Sequence, residues 1–307
     1  MSNSNSNPQV LQSFSDAIAG VVSQVSPSVV QIKAGDRGLG SGVVWNRDGL
    51  ILTNSHVVGR TGEVEVTLYG DSKNYKATVL GQDRFSDVAL LKIEDAGKSL
   101  HPIEHGDSSN LAVGQFILAL ANPFGEKVGA TFGIITSASA TMGGRMPWAD
   151  NVIVTDAKLN PGYSGGPLID ASGKMIGMNA AYFANRGIAI PINTLVDIAK
   201  NLASEGSVKR AYLGIVSDTL ELPQELAEEI QQEEGLIVLS VEAGTPAKKA
   251  GVAVGDIVVK LDSKPVRNFY DLRKILTSKA IGKPTSLSVL RGEKLTELTV
   301  TPTEARR

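Results

Sequence analysis

Asn160-Pro161-Gly162-Tyr163-Ser164-Gly165-Gly166-Pro167-Leu168 sets one serine among three glycines and two prolines, with apolar, strand-like runs on either side. A serine on so tight a turn can present its hydroxyl while neighbouring backbone N–H groups converge on one point. That arrangement suits an acyl-transfer nucleophile beside an oxyanion hole. The same nine residues also read as a Gly/Pro-rich hairpin turn whose serine is incidental. The rest of the chain decides between the two.

Working outward, short apolar runs recur at 29–33, 40–45, 50–53, 63–69, 75–81, 88–93, 115–121, 130–138, 152–155, 166–169, 175–181 and 187–191, separated by Gly, Asn, Asp and Pro. Strands at this spacing predict an antiparallel all-β barrel or sandwich, of about the size of two small barrels. Apolar residues at helical spacing predict helices over 10–25 and 193–202. Residues 1–8 read as a disordered tail, and Ala140–Asp150 as a mobile surface loop. After a polar stretch the pattern changes to mixed strands (235–241, 257–261, 285–290, 295–300) and helices (223–232, 269–278). The organisation expected is a tail and short amphipathic helix over 1–25, a large β domain over 26–203, a linker over 204–211 and a small α+β domain over 212–303.

Composition narrows the chemistry. The 307 residues are 42% hydrophobic and 20% charged, with net charge -2. No Lys/Arg-rich run or basic stripe points to nucleic acid. No apolar run is long enough to span a bilayer. Cysteine is absent, which excludes a cysteine nucleophile and disulfides. The three histidines, His56, His101 and His105, are too few and too badly spaced for a zinc site, and neither metal nor cofactor is expected. The polar N-terminus carries no apolar signal core, so the chain as it stands is expected in the cytoplasm, or in the periplasm or another extracytoplasmic space if a targeting segment has been removed.

A serine hydroxyl needs a general base. His56 follows an apolar run in Leu52-Thr53-Asn54-Ser55-His56-Val57-Val58, whereas His101 and His105 lie in a polar stretch and read as surface residues. Asp87 opens the apolar run Val88-Ala89-Leu90-Leu91, where a carboxylate can be partly buried and orient an imidazole. A solvated turn aspartate is the other reading, for Asp87 as for Asp83. Together, His56, Asp87 and Ser164 run in the order found in chymotrypsin-type double barrels.

Here the chain resembles the HtrA/Deg family of serine proteases. Gly40-Ser41-Gly42-Val43-Val44 and Asp48 to Val58 match the family's histidine region, and Asp83 to Leu91 its aspartate region. Gly106-Asp107-Ser108-Ser109, Val113-Gly114-Gln115 and Ala121-Asn122-Pro123-Phe124-Gly125 match its central segment. Thr155 to Leu168 match its serine region, and Gly187-Ile188-Ala189-Ile190-Pro191 the strand after its specificity loop. The resemblance implies a chymotrypsin-like double six-stranded antiparallel β-barrel followed by a small α+β PDZ domain. It implies His56 as general base, Asp87 as its orienter, Ser164 as nucleophile, and the N–H groups of Gly162 and Ser164 as the oxyanion hole. It further implies a homotrimer built through the protease domains, with residues near Phe14 contributing.

Two positions depart from the family pattern. Tyr163 stands where asparagine is usual, and could pack on a neighbouring loop, narrow the approach, or turn to solvent or a subunit contact. Lys158-Leu159 stands where the specificity pocket is lined. Leu159 with Ile188 suggests an apolar pocket for a medium aliphatic side chain, with Lys158 snorkelling outward; a pocket for an acidic side chain is the alternative. The segment from Gln31 to Gly42 is short where relatives often carry a regulatory loop, which argues against a loop-gated resting state. In the last third, Tyr212-Leu213-Gly214-Ile215 matches the carboxylate-binding loop of the family's PDZ domains, supported by Gly244-Thr245-Pro246-Ala247 and Gly255-Asp256-Ile257-Val258. Its N–H groups would capture a peptide C-terminus while the peptide adds as a strand. The function expected is an ATP-independent endopeptidase acting on unfolded or damaged polypeptides. A catalytically silent chaperone or peptide-binding scaffold, with Tyr163 obstructing the site, is the alternative.

Overall fold

The computed structural model describes residues 8–35, 38–60, 63–94, 100–125, 127–140, 151–292 and 294–304. The expected tail therefore lies outside the described residues except for Pro8, and the expected loop except for Ala140. The chain divides into two compact units, Met1–Val208 and Lys209–Arg307.

The first unit holds two closed six-stranded barrels. Strands β1 (Val29–Ala34), β2 (Gly38–Val44), β3 (Leu50–Thr53), β4 (Val64–Thr67), β5 (Asn74–Asp83) and β6 (Val88–Ile93) run in the order β1-β2-β3-β6-β5-β4, and β4 closes on β1. Strands β7 (Phe116–Ala121), β8 (Gly129–Ala140), β9 (Val152–Thr155), β10 (Pro167–Asp170), β11 (Met175–Phe183) and β12 (Arg186–Pro191) run in the order β10-β11-β12-β9-β8-β7, and β7 closes on β10. All the pairings are antiparallel.

Alternation along the strands explains why some are apolar throughout. In β6, Ala89, Leu91 and Ile93 fill the first barrel, while Val88 and Leu90 turn the other way into a second core. In β7, Ile117, Ala119 and Ala121 fill the second barrel, while Leu118 and Leu120 join that same second core. Both strands are thus buried on both faces, which a period of two permits only when each face has a partner. The shared core locks the barrels together. It also receives Ile18, Val21, Val22 and Val25 of helix α1 (Pro8–Val25), and Leu195, Ile198, Ala199 and Leu202 of helix α3 (Ile192–Glu205). Between them in sequence the described residues hold a 3-10 turn (Ser26–Ser28) and the single α-helical turn α2 (Ser55–Val58). Helix α3 runs three residues beyond the predicted end. It stops where Gly206 takes a left-handed conformation (φ 67°) and returns its N–H to Leu202.

The second unit is a sheet of β14 (Ile215–Glu221), β15 (Glu234–Val241), β16 (Ile257–Leu261), β18 (Thr285–Arg291) and β19 (Lys294–Val300) in that order, with β17 (Lys264–Pro265) on β16 and a separate pair of β13 (Ala211–Tyr212) with β20 (Thr303–Glu304). Helices α4 (Gln224–Ile230), α5 (Pro246–Ala250) and α6 (Phe269–Ile275) complete it. Leu272 of α6 packs with Leu236, Val238, Val258, Leu287 and Val289 of the sheet. The helix predicted to reach residue 278 ends at Ile275, and a separate 3-10 turn spans Ser278–Ala280. Among the described residues no helix is long and apolar enough to cross a membrane.

One ion pair in this unit is worth a measurement. Asp256 is buried, and both its oxygens accept from Arg291, Oδ1 from Nε and Oδ2 from Nη2, each at 2.8 Å; Oδ2 also accepts the Ala253 N–H at 2.8 Å. Burial pulls the carboxyl pKa up, but the guanidinium and that N–H outweigh it and hold the pKa below its ordinary value. Replacing Arg291 by methionine is expected to destabilise the unit, by less than for a fully enclosed pair, because Arg291 is half exposed and screened. Calorimetry should show the melting transition of this unit falling while that of the barrels stays in place. A depressed carboxylate pKa stabilises above its unfolded value, so the wild-type advantage should start to shrink below about pH 4 and be lost as the pH falls through the lower folded-state pKa.

Candidate active site

His56 sits in α2, the single turn that follows β3. Asp87 stands at the mouth of β6 with φ 55°, a left-handed conformation that aspartate tolerates better than most residues. Its carboxylate grips the histidine twice: Oδ2 lies 2.7 Å from His56 Nδ1, and Oδ1 accepts the His56 backbone N–H at 2.9 Å. Its carbonyl is held in turn by Asn54 Nδ2 at 2.9 Å and by the Ser55 N–H at 3.1 Å. Gln82 Nε2 ties the far side of the turn, reaching the Ser55 carbonyl, Ser55 Oγ and the Gly59 carbonyl at 2.8–3.1 Å. Asp87 is nearly buried and the His56 side chain is half exposed, so the carboxylate anchors a ring whose other edge is open.

Asp83 is also buried. Its carboxylate accepts the N–H groups of Phe85 and Ser86, shaping the turn that delivers Asp87. The solvated-turn reading therefore fails for both aspartates. Of the other histidines, His101 and His105 are both exposed, as read from the sequence; the His105 ring lies tilted against Trp45 with centroids 4.2 Å apart, and the partial desolvation there lowers its pKa.

The nucleophile loop comes from the second barrel. Gly162 has φ 89°, open to glycine at little cost, and a Cβ there would lie 2.4 Å from Pro123 Cβ. At Gly165 a Cβ would lie 2.0 Å from the Ser41 carbonyl oxygen, so the two barrels meet backbone to backbone at this residue. The Tyr163 N–H turns back to the Asn160 carbonyl (3.0 Å) and the Gly165 N–H to the Asn179 carbonyl (2.9 Å). The intervening N–H groups of Gly162 and Ser164 are given to no backbone carbonyl among the described residues. Ser164 Oγ donates to the Ala180 carbonyl at 3.3 Å, and Ala180 lines one shallow depression with His56, Asp87 and Ala181. Ala180 thus links Ser164 to the depression that holds His56 and Asp87. The serine hydroxyl rests on Ala180, an arrangement common before substrate tightens the catalytic contacts.

Tyr163 is not across this cleft. Its side chain is 6% exposed and packs inside the second barrel with Ala121, Ala157, Leu159 and Leu168, its hydroxyl near Gly129. Burial raises the phenol pKa, partly opposed by a hydrogen bond with the Asn160 side chain. Both the solvent-facing and the obstructing readings of this residue are overturned.

The expected specificity trio does not stay together. Leu159 packs with Tyr163 and Ala189 in the second barrel, and a Cβ on Gly187 would lie 3.1 Å from its Cγ. Ile188 faces the opposite side of β12 and packs with Val152 and Val154. Adjacent strand residues point to opposite faces, so Leu159 meets Gly187 and Ala189 rather than Ile188. Lys158 has its side chain exposed, and its carbonyl accepts Thr131 Oγ1 at 2.9 Å.

In the second unit, Tyr212 ends β13 and Ile215 opens β14, the sheet's edge strand, with α6 beside it. Leu213 and Gly214 (φ 85°) form the bend between them. Their carbonyls accept the N–H groups of Ala247 (2.8 Å) and Glu242 (2.9 Å), while their own N–H groups meet no backbone carbonyl among the described residues. The bend can therefore offer donors to a peptide laid along the edge of β14.

Asn54 and Gln82 carry no mark in the sequence that separates them from ordinary polar turn residues. Their positions, two residues before His56 and one before the aspartate region, are the only signal.

Comparison with known proteins agrees with this geometry. Residues 40–178 match the trypsin-like peptidase domain model and residues 211–301 the PDZ domain model. The chain is 36% identical over 282 residues to the putative serine protease HhoA of Synechocystis sp., covering 88% of this chain and 71% of that protein. It is 37% identical over 271 residues to the periplasmic pH-dependent serine endoprotease DegQ of Escherichia coli, covering 86% of this chain and 59% of that protein. Among solved structures, the HtrA-type protease AlgW with a tripeptide superposes with a TM-score of 0.82 at 30% identity, over 94% of this chain and 97% of that one. The same protease with a decapeptide gives 0.80 at 28% identity, over 94% and 99%.

Proposed function

The chain belongs to the HtrA/Deg family of serine proteases, and from that premise we propose that this endopeptidase cleaves unfolded or damaged polypeptides through a His56/Asp87/Ser164 acyl-enzyme, without ATP, guided by PDZ capture of substrate C-termini. The observation that carries the assignment is Asp87 holding His56 by both ring and backbone nitrogen, with Ser164 Oγ on the carbonyl of Ala180, which lines the same depression. His56 Nε2 takes the Ser164 proton as Oγ bonds to the scissile carbonyl carbon. The carbonyl oxygen, now negative, accepts from the N–H groups of Gly162 and Ser164. The same proton then passes to the leaving amine as the C–N bond breaks, and water hydrolyses the acyl-enzyme by the reverse exchange. No step consumes a nucleotide.

An extended polypeptide is the substrate that suits an open, shallow cleft, because a folded chain presents no free strand to lay in it. The PDZ half of the reading rests on the donor-bearing bend at Leu213–Gly214 and on an aliphatic surround, with Ile215, Ile275 and Leu276 against the core. An apolar C-terminal residue fits that surround. A homotrimer is supported by Phe14, Phe116 and Phe132, whose rings lie 5.2–6.1 Å apart and are each about half exposed. Such an aromatic patch is what a subunit contact covers.

The test uses sized protein in two portions, one treated with a serine-directed phosphonate and the other assayed untreated on denatured and on folded casein-sized substrates. Label on Ser164, a trimer mass, and cleavage confined to the denatured substrate are expected. An unlabelled Ser164 in folded protein overturns the catalytic assignment. Binding of unfolded chains without cleavage favours the chaperone alternative.

A further inference from the structure

One buried side chain from the first barrel reaches into the nucleophile loop of the second. Ser41 lies in β2, is fully buried, and uses every polar group it has. Its N–H donates to the Ser164 carbonyl (2.9 Å) and its Oγ to the Gly162 carbonyl (2.7 Å). Its Oγ also accepts the Asn122 N–H (2.8 Å), and its carbonyl accepts Thr53 Oγ1 (2.7 Å). A strand of a barrel ordinarily buries an apolar side chain, and a buried hydroxyl is kept only where its hydrogen bonds are made.

The orientation of successive peptide groups shows what the hydroxyl does. The peptide between Gly162 and Tyr163 is held at both ends, its carbonyl by Ser41 Oγ and its N–H by Asn160. The peptide between Ser164 and Gly165 is likewise held, its carbonyl by the Ser41 N–H and its N–H by Asn179. The Tyr163 carbonyl accepts the Gly166 N–H at 3.0 Å, which sets the plane that carries the Ser164 N–H. The peptide between Pro161 and Gly162, which carries the other donor, has no backbone partner at either end among the described residues. Its plane is set only through Gly162, and Gly162 is a glycine at φ 89° with wide freedom to rotate. The bond from Ser41 Oγ holds the Gly162 carbonyl, and with the Tyr163–Asn160 bond it fixes the peptide that leaves Gly162.

We propose that Ser41 is a positioning residue for the oxyanion hole: its hydroxyl, supplied by the first barrel, holds Gly162 so that the Gly162 N–H faces the developing oxyanion. It touches no substrate. It acts through the loop, and it makes the donor geometry of one barrel depend on the packing of the other. This rests on Ser164 as nucleophile, and the experiment separates the two claims.

Wild-type protein, Ser41→Ala and Ser41→Cys would each be titrated with the phosphonate to count active sites. They would then be assayed on a peptide substrate and on a peptide boronic acid, whose tetrahedral oxygen occupies the hole. Ser41→Ala is expected to lower kcat per labelled site about 10- to 100-fold, less than deletion of a donor costs, with KM within about twofold. The boronic acid should weaken by the same factor as kcat. Ser41→Cys, with a weak donor of similar size, should fall between. Because rates are taken per labelled site, unfolding of a variant lowers the site count rather than the rate. Label on the wild type with unchanged boronic acid affinity in Ser41→Ala overturns this inference alone. A wild type without label overturns Ser164 as nucleophile, and the inference with it.

Discussion

With Ser164 replaced by alanine, kcat on a denatured protein is expected to fall by about a million-fold, and adding His56→Ala should cost nothing further. The reason is that nucleophile and base act as one unit. His56 has no proton to take once the hydroxyl is gone, and without the base the hydroxyl is not a useful nucleophile at neutral pH. What survives in both variants is the hole made by two N–H groups and the binding of the chain, together worth about a thousandfold over water. The fold should not change. Ser164 Oγ makes one long hydrogen bond, to Ala180 at 3.3 Å, while the loop is held by backbone contacts that alanine keeps. Single-turnover rates with melting curves check this. A double variant more than tenfold slower than either single one would show that Ser164 and His56 contribute separately, against the assignment.

Asp87→Asn is expected to lower kcat about ten-thousand-fold with little loss of binding. The geometry makes the prediction sharper here than for a carboxylate with one contact. Asp87 accepts from two donors on the same residue, the His56 ring at Nδ1 and the His56 backbone N–H. An asparagine amide has one acceptor and one donor end. Keeping its oxygen on the backbone N–H turns its NH2 to Nδ1, which must then be unprotonated. The ring proton moves to Nε2, the atom that should receive the proton of Ser164. The flipped amide would keep its oxygen on Nδ1 but set its NH2 against the His56 backbone N–H, exchanging that bond for a donor–donor clash. The first orientation disables the base and the second is disfavoured by the clash, so side-chain rotation does not restore the wild-type contacts. NMR of the imidazole nitrogens would show the changed tautomer, and a normal tautomer with full activity would refute the role given to Asp87.

The linear order of His56, Asp87 and Ser164 was legible because each sits in a local pattern with its own chemistry: a histidine after an apolar run, an aspartate opening another, a serine in a glycine turn. An antiparallel all-β domain was legible from the spacing of the strands, and its closure into two barrels rather than a sandwich from the family resemblance. Tyr163 was not. Nothing local tells whether an aromatic beside the nucleophile turns out to solvent, into the cleft or down into the barrel; the space beside Gly129 and Leu159 draws it down. Ile188 was misplaced for a related reason. Its neighbour Gly187 lies against Leu159, and a strand's alternation sends the two to opposite faces.

The sequence by itself determined the elements, the two-unit organisation and the residues that can do acyl transfer, because hydrophobic period, turn chemistry and side-chain reactivity are local properties. Only the tertiary structure decided how the donors of the nucleophile loop are aimed. Ser41 and Gly162 are 121 residues apart in the chain and belong to different barrels, yet one hydroxyl of the first holds a peptide plane of the second. A hydrogen bond depends on where two groups lie in space, and closure and packing of the barrels bring these two together.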